Sequence, residues 1–287
     1  MLRFLLLLSV LCYLPGIPVV AQLSLRPVGQ DSVLRSRPRY SLFRPVPRAR
    51  LRPMSTDRPD ATESAYSVDA GHFQVETDVV RLGQQRFDGE ANQQLALNHA
   101  NLKLGLTRQM DLQVVVESYT IQTEDAEQPV RRAGFGDVTL RLKRNLWGND
   151  GGATALALMP FVKLPTGRSC GNQAWEGGLV APFAWQLPHD WSFGSQLQAS
   201  WNRDPEAQQH YLELAPTVTV GHDLYRTLGG FVEVAGAWDT RATAWVATLN
   251  GGPIWRVSDN LQLDLGINLA LTQATETSYF LGFSFRR

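Results

Sequence analysis

Charged residues recur at alternate positions within otherwise apolar segments of this 287-residue chain. Glu76, Asp78, Glu117, Glu213, Glu233 and Asp264 are acidic; Lys103, Arg141, Lys143 and Lys163 are basic. A second concentration, Asp57, Arg58, Asp60 and Glu63 around Pro59, precedes the first alternating segment. Charges of both signs at such positions either pair and brace a fold or line a polar passage and set which solute enters it. Covalent chemistry has weaker candidates. The histidines stand at 72, 99, 189, 210 and 222, and no two share metal-site spacing with a carboxylate, so neither a metal nor another cofactor is expected. There is no GxSxG elbow, no P-loop and no GxGxxG after a strand. Ser200 and His210 flank one predicted loop and are the best match to a hydrolase pair, but chance readily supplies such pairs. The expectation is a protein without catalysis, in which the charges do the work.

The elements that carry these charges read as β-strands. Apolar residues alternate with polar ones at Phe73–Val79, Leu112–Val116, Val138–Leu142, Trp191–Ala199, Leu212–Val220, Leu261–Leu269 and Tyr279–Phe285. A helix would repeat near 3.6 residues, and these windows repeat at two. Counting segments from Gly71 onward gives twelve strands. The breaks alternate in character. Thr107–Met110, Gly148–Gly152, Leu187–Asp190, Gly221–Arg226 and Arg256–Asn260 are short and turn-rich, whereas 83–93, 122–134 and 165–175 are longer. An even count with short turns at one end and long loops at the other is the pattern of an antiparallel up-and-down outer-membrane barrel, its termini and short turns in the periplasm.

Alternation alone does not say which face is inside. The polar positions are rich in Gln, Asn, Ser, Thr and Gly and poor in Lys, which suits a watery lumen. Trp147, Trp185, Trp191 and Trp255 fall beside short turns, and Trp201 and Trp238 beside longer loops, as two interfacial girdles would. Lys or Arg on the lipid face at mid-membrane would cost about 2–4 kcal/mol, so the charges belong inside or near a rim. A soluble β protein is the competing assignment.

Composition agrees with export and a membrane. Lys plus Arg equals Asp plus Glu at 27 each, a balance that argues against a nucleic-acid partner. Mean hydropathy is −0.18, and no apolar run after the N-terminus reaches the roughly 20 residues of a helical span. Residues 1–21, with Arg3 before a leucine-rich run and Val19-Val20-Ala21 at the end, read as a signal peptide. Residues 22–54 hold eight Arg, five Pro and one acid, Asp31, and read as a disordered arm. Residues 55–70 read as a periplasmic lead-in and candidate plug, whose charges are expected to meet Arg141 or Lys143. Residues 71–287 form the expected barrel.

The motif Ser55-Thr56-Asp57-Arg58-Pro59-Asp60-Ala61-Thr62-Glu63-Ser64, followed by Gly71-His72-Phe73-Gln74-Val75-Glu76, is the most specific stretch. Phe135–Lys143, Asn145–Gly148, Pro160–Gly167 and Glu176–Leu179 follow in order. Together they resemble the bacterial outer-membrane family of channels associated with the phenol meta-cleavage pathway, from Thr56 to the C-terminus. Ala65 replaces an expected Pro, and Arg286 and Arg287 follow the usual aromatic end. The resemblance implies an outer-membrane barrel passing small, hydrophobic or aromatic solutes. Its expected partners are that solute, outer-membrane lipid and the barrel-assembly machinery. The alternatives are a plugged barrel serving as an anchor and an outer-membrane lipid hydrolase.

Overall fold

The computed structural model describes residues 40–287 except 88–89, 126–128, 205–206 and 242–244. The expected signal peptide and most of the arm lie outside the described residues. Fourteen strand segments follow in order: β1 (Phe73–Phe87), β2 (Glu90–Gly105), β3 (Met110–Val116), β4 (Tyr119–Asp125), β5 (Val130–Gly134), β6 (Val138–Trp147), β7 (Thr154–Leu164), β8 (Glu176–Gln186), β9 (Trp191–Asp204), β10 (Gln209–Tyr225), β11 (Leu228–Asp239), β12 (Trp245–Ser258), β13 (Leu261–Ala270) and β14 (Thr277–Arg286). All pairings are antiparallel, and β1 pairs with both β2 and β14, so the sheet closes. β2 pairs with β3 near its end and with β4 near its start. β3 and β4 are therefore two halves of one stave, as are β5 and β6, and the barrel has twelve staves as expected.

The polarity is that of a membrane barrel. Gln74, Glu76, Lys103, Gln113, Lys143, Glu233, Asn250 and Asp264 are buried, whereas Leu82, Leu197, Val218, Val232, Leu265, Tyr279 and Leu281 are exposed. All eight tryptophans are at least 43% exposed, which rules out core positions for them. Trp147, Trp185, Trp191 and Trp255 lie at the short-turn end, and Trp201, Trp238 and Trp245 at the other. An indole at a bilayer interface buries its ring and keeps its N–H wet. Backbone groups in hydrocarbon must be paired internally, which is what closure provides.

Three details differ from the sequence reading. The expected loops at 83–93 and 122–134 are largely strand, because hydrogen-bonded hairpins continue beyond the apolar belt where hydrophobic periodicity no longer marks them. The short break at 221–226 also shrinks, since β10 runs to Tyr225 and β11 begins at Leu228. Finally, residues 40–54 of the arm expected to be disordered have a defined place in the structure. From Tyr40 onward the chain lies against the short-turn end: Val46 is buried, its N–H donates to Ala70 O at 3.0 Å, and its carbonyl lies 2.7 Å from His72 Nε2. Arg52 pairs with Asp69 at 2.7 Å. Arg286, the residue that departs from an aromatic terminus, turns inward and donates to Arg52 O at 2.8 Å and Asn260 Oδ1 at 2.9 Å. Prolines remove backbone donors, but arginine side chains supply replacements.

Candidate functional site

Twelve staves enclose more space than side chains alone fill at eight strands, and less than an open sixteen-stranded pore. In this chain the segment Ser55–Ala70 enters that space from the short-turn end. Its anchoring is polar. Asp57 pairs with Lys103 and with Lys143, the latter at 2.7 Å, and Lys103 also pairs with Glu76. The Asp57 N–H donates to Glu76 Oε2 at 2.8 Å. Arg58 bridges Asp78 and Asp264, the latter at 2.6 Å. Ala61 and Thr62 donate their backbone N–H groups to the two oxygens of Glu233, at 2.7 and 2.8 Å. Glu63 pairs with Arg141 at 2.5 Å, and its N–H donates to Gln196 Oε1 at 2.8 Å.

Strand register explains how these partners converge. Gly282 on β14 is the cross-strand partner of both Asp78 on β1 and Asp264 on β13. The two carboxylates thus flank a position without a side chain, and the Arg58 guanidinium occupies it; any Cβ on Gly282 would collide with that group. Phe280, two residues away on the same face, lies under Arg58 and Arg81, with centroids 5.5 and 4.8 Å from the guanidinium carbons.

The charge environment of the segment is uneven. Burial raises the Asp57 carboxyl, but Lys103 and Lys143 outweigh this and hold it below the usual range. Burial, with Glu233 nearby, pushes Asp60 up to about 8. Burial, with Asp57 adjacent and despite Arg141, pushes Glu63 up to about 7. Such a segment carries one firmly ionised acid and two whose ionisation burial opposes.

The residues singled out from sequence fall into two groups. Glu76, Asp78, Lys103, Arg141, Lys143, Glu233 and Asp264 all touch the Asp57–Glu63 segment. Glu117, Lys163 and Glu213 do not. Glu117 Oε2 accepts the Asp137 N–H at 3.2 Å, at the break between β5 and β6. Lys163 pairs with Glu176 at 2.6 Å and Asp137 at 3.5 Å, and Glu213 accepts from Asn202 at 3.3 Å. Partners missed in the sequence include Asp111, which accepts the Val68 N–H at 2.9 Å, and Asn145, which donates to Ala65 O at 2.8 Å. Asn149 Oδ1 accepts the Ser67 N–H at 3.0 Å. Asp111 begins an alternation with Gln113 that marks it as lumenal; Asn149 sits in a turn and gives no such signal.

Beyond Ala61 a cavity of about 270 Å³ opens toward the long-loop end. Its lining is mostly small, with Ala215, Thr217, Ala235, Ala237 and Thr248 joined by Gln198 and Val246, and with Gln196 and Ala61 as floor. Ser200 and His210 do not form a catalytic pair. Ser200 is buried toward the lumen opposite Glu213, while His210 stacks on Trp201 on the outer face, ring centroids 6.1 Å apart. Among the described residues no three His, Cys, Asp or Glu groups converge on a metal position.

A family described as "Putative MetA-pathway of phenol degradation" matches residues 56–286. The chain belongs to this family. The match begins at the inserted segment and runs to the last strand, so segment and barrel are parts of one family unit. No curated protein sequence matches the chain. Among solved structures, the COG4313 outer membrane channel from Pseudomonas putida F1 is similar at 13% identity and TM-score 0.55, covering 81% of this chain and 99% of that one. The NanC porin aligns at 11% identity and TM-score 0.49, covering 74% of this chain and 98% of that one. The fold is that of a bacterial outer-membrane barrel, and the apolar belt between two tryptophan girdles places it in that membrane.

Proposed function

We propose that this protein is an outer-membrane channel for diffusion of small hydrophobic or aromatic solutes, closed from the periplasmic side by the Ser55–Ala70 segment. The single observation that carries the reading is the contrast along the lumen: a small-residue cavity on the outer side meets a floor held mainly by ion pairs and hydrogen bonds. A mainly apolar cavity of about 270 Å³ suits one ring rather than a sugar chain. On release the polar floor exchanges its protein partners for water, which an apolar core cannot do. The family's link to phenol degradation agrees with this class of solute, and the similar outer membrane channel from Pseudomonas putida F1 agrees with a channel. The reading needs no catalysis and no cofactor. Membrane lipid and the barrel-assembly machinery are its expected partners.

Deletion of residues 56–64 tests it, with folding checked by the gel shift between unheated and boiled protein. The expected result is a higher single-channel conductance and faster phenol entry into proteoliposomes. Unchanged conductance, with a folded barrel, would sink the gating role and favour a plugged anchor. Conductance that rises without phenol entry would remove the solute class.

A further inference from the structure

A second cavity, of about 760 Å³, lies at the long-loop end, and none of its lining residues belongs to the inserted segment. Its walls come from two hairpins, with the loop at 169–175 between them. Gln122 and Arg132 are cross-strand partners on β4 and β5, on the face that Gln94 and Thr120 share. Arg203 and His210 are cross-strand partners on β9 and β10. Register places this second pair on the outer face, because neighbouring Ser200 and Asn202 point inward with Glu213 while Trp201 and Leu212 point out. One wall is therefore the inner face of the β4–β5 hairpin and the other the outer face of the β9–β10 hairpin, with the β7–β8 loop between them. The cleft opens sideways through the barrel wall. Paired breaks at 117–118 and 135–137 permit this, since β5 has no ladder to β7.

The height of the cleft is set by tryptophans. His210 stacks on Trp201 of the outer girdle, and the exposed Trp175 lines the cleft, its carbonyl 3.4 Å from His210 Nε2. The next layer outward from an aromatic girdle is that of lipid headgroups. At this level the cleft presents two guanidinium groups. Arg203 donates to the neutral Gln208 amide at 2.8 Å, and Arg132 stands 3.9 Å from Glu124, the outer limit of an ion pair. Guanidinium forks match phosphate oxygens in shape and charge.

We infer that this cleft binds a phosphorylated sugar headgroup of an outer-leaflet glycolipid, with Arg132 and Arg203 on the phosphate and Trp175 against a sugar ring or the start of an acyl chain. Sideways access, the girdle level and the paired arginines favour a lipid over a solute arriving from the medium. The site is independent of the lumenal segment and stands whether or not the channel reading does.

Cys170 lines the same cleft, its thiol donating to Thr120 O at 3.4 Å. It provides a readout on the unmutated chain. The full protein, stripped of lipid in mild detergent, is offered rough lipopolysaccharide, the same glycolipid after phosphatase treatment, inorganic phosphate, or benzoate. Retention is read by native mass spectrometry, and maleimide addition at Cys170 by peptide mass spectrometry. The expected result is one phosphorylated glycolipid retained per chain, slower Cys170 labelling, and neither effect with the dephosphorylated form. Replacing both arginines, Arg132→Gln with Arg203→Gln, should weaken retention about 10- to 30-fold at two lipid-facing charges. Equal retention of both glycolipid forms, or unchanged Cys170 labelling with glycolipid, overturns the proposal. Protection by inorganic phosphate as strong as that by the glycolipid reassigns the cleft to a free anion. Protection by benzoate alone reassigns it to an anionic solute.

Discussion

The two halves of the lumen are built from the same staves and differ in side-chain size and charge. On β11, Glu233 binds the inserted segment, while Ala235 and Ala237, on the same face one and two steps further out, leave space. On β10, Thr217 meets Thr62, and Ala215 beyond it opens into the cavity. Period-two geometry keeps all of these on one face, so a two-residue step along a strand is enough to pass from lock to vestibule. A barrel need not change its backbone to build an occupied section and an open one in series.

Removing the anchor on the closed half should have the largest effect. Asp57→Ala leaves Lys103 and Lys143 facing each other and Glu76 without their shared partner. Loss of one member of a buried ion cluster costs about 3–5 kcal/mol. The expected outcome is a conductance close to that of the 56–64 deletion; a wild-type trace would mean that the remaining contacts hold the segment alone. Next in size is Gly282→Leu. Its side chain would claim the space of the Arg58 guanidinium, at a cost of about 1–3 kcal/mol for overpacking, and should raise open probability while the barrel still shows its heat shift. Normal gating in that variant would show that Arg58 is not needed for closure.

A smaller effect is expected from pH. Asp60 and Glu63 are raised in the docked segment, to about 8 and about 7, so docking holds more protons than release. Their contribution favours docking below the ordinary carboxylate range and is lost progressively as pH rises toward 8. Asp57 is shifted downward and works in the opposite sense, its contribution lost only in strong acid. Open probability should therefore climb between pH 5 and 8, and Asp60→Asn should flatten that climb. A flat wild-type profile would remove these acids from the gate. The mildest change is Ala237→Phe, which should reduce phenol entry through the 56–64 deletion variant without altering its heat shift. Undiminished entry would place the solute path elsewhere than the small-residue cavity.

Much of this was legible in one dimension. Strict alternation in Leu261–Leu269 and Tyr279–Phe285 specified strands, and tryptophans beside turns specified which face met lipid. The charge-rich run around Pro59 stood out because no strand period contains it. Its partners were only half visible. Arg141 and Lys143 were expected, but the Arg58 seat requires Asp78, Gly282 and Asp264 to be neighbours across three strands, and such adjacency depends on register rather than spacing. Glu117 and Lys163 had the same alternation as Lys103 yet meet the strand break and Glu176 instead, because their height in the barrel differs.

The amino-acid sequence by itself determined the strands within the apolar belt, their inside-out polarity, the even count and the presence of an unusual charged lead-in, since each follows from local periodicity and composition. Tertiary structure alone decided that the lead-in lies inside the barrel, that the arm from Tyr40 is tied down by Arg52 and Arg286, and that Ser200 and His210 face opposite ways. The physical reason is closure. Bringing β14 onto β1 sets the shear that fixes which side chains share a level, and no short-range pattern in the chain encodes it.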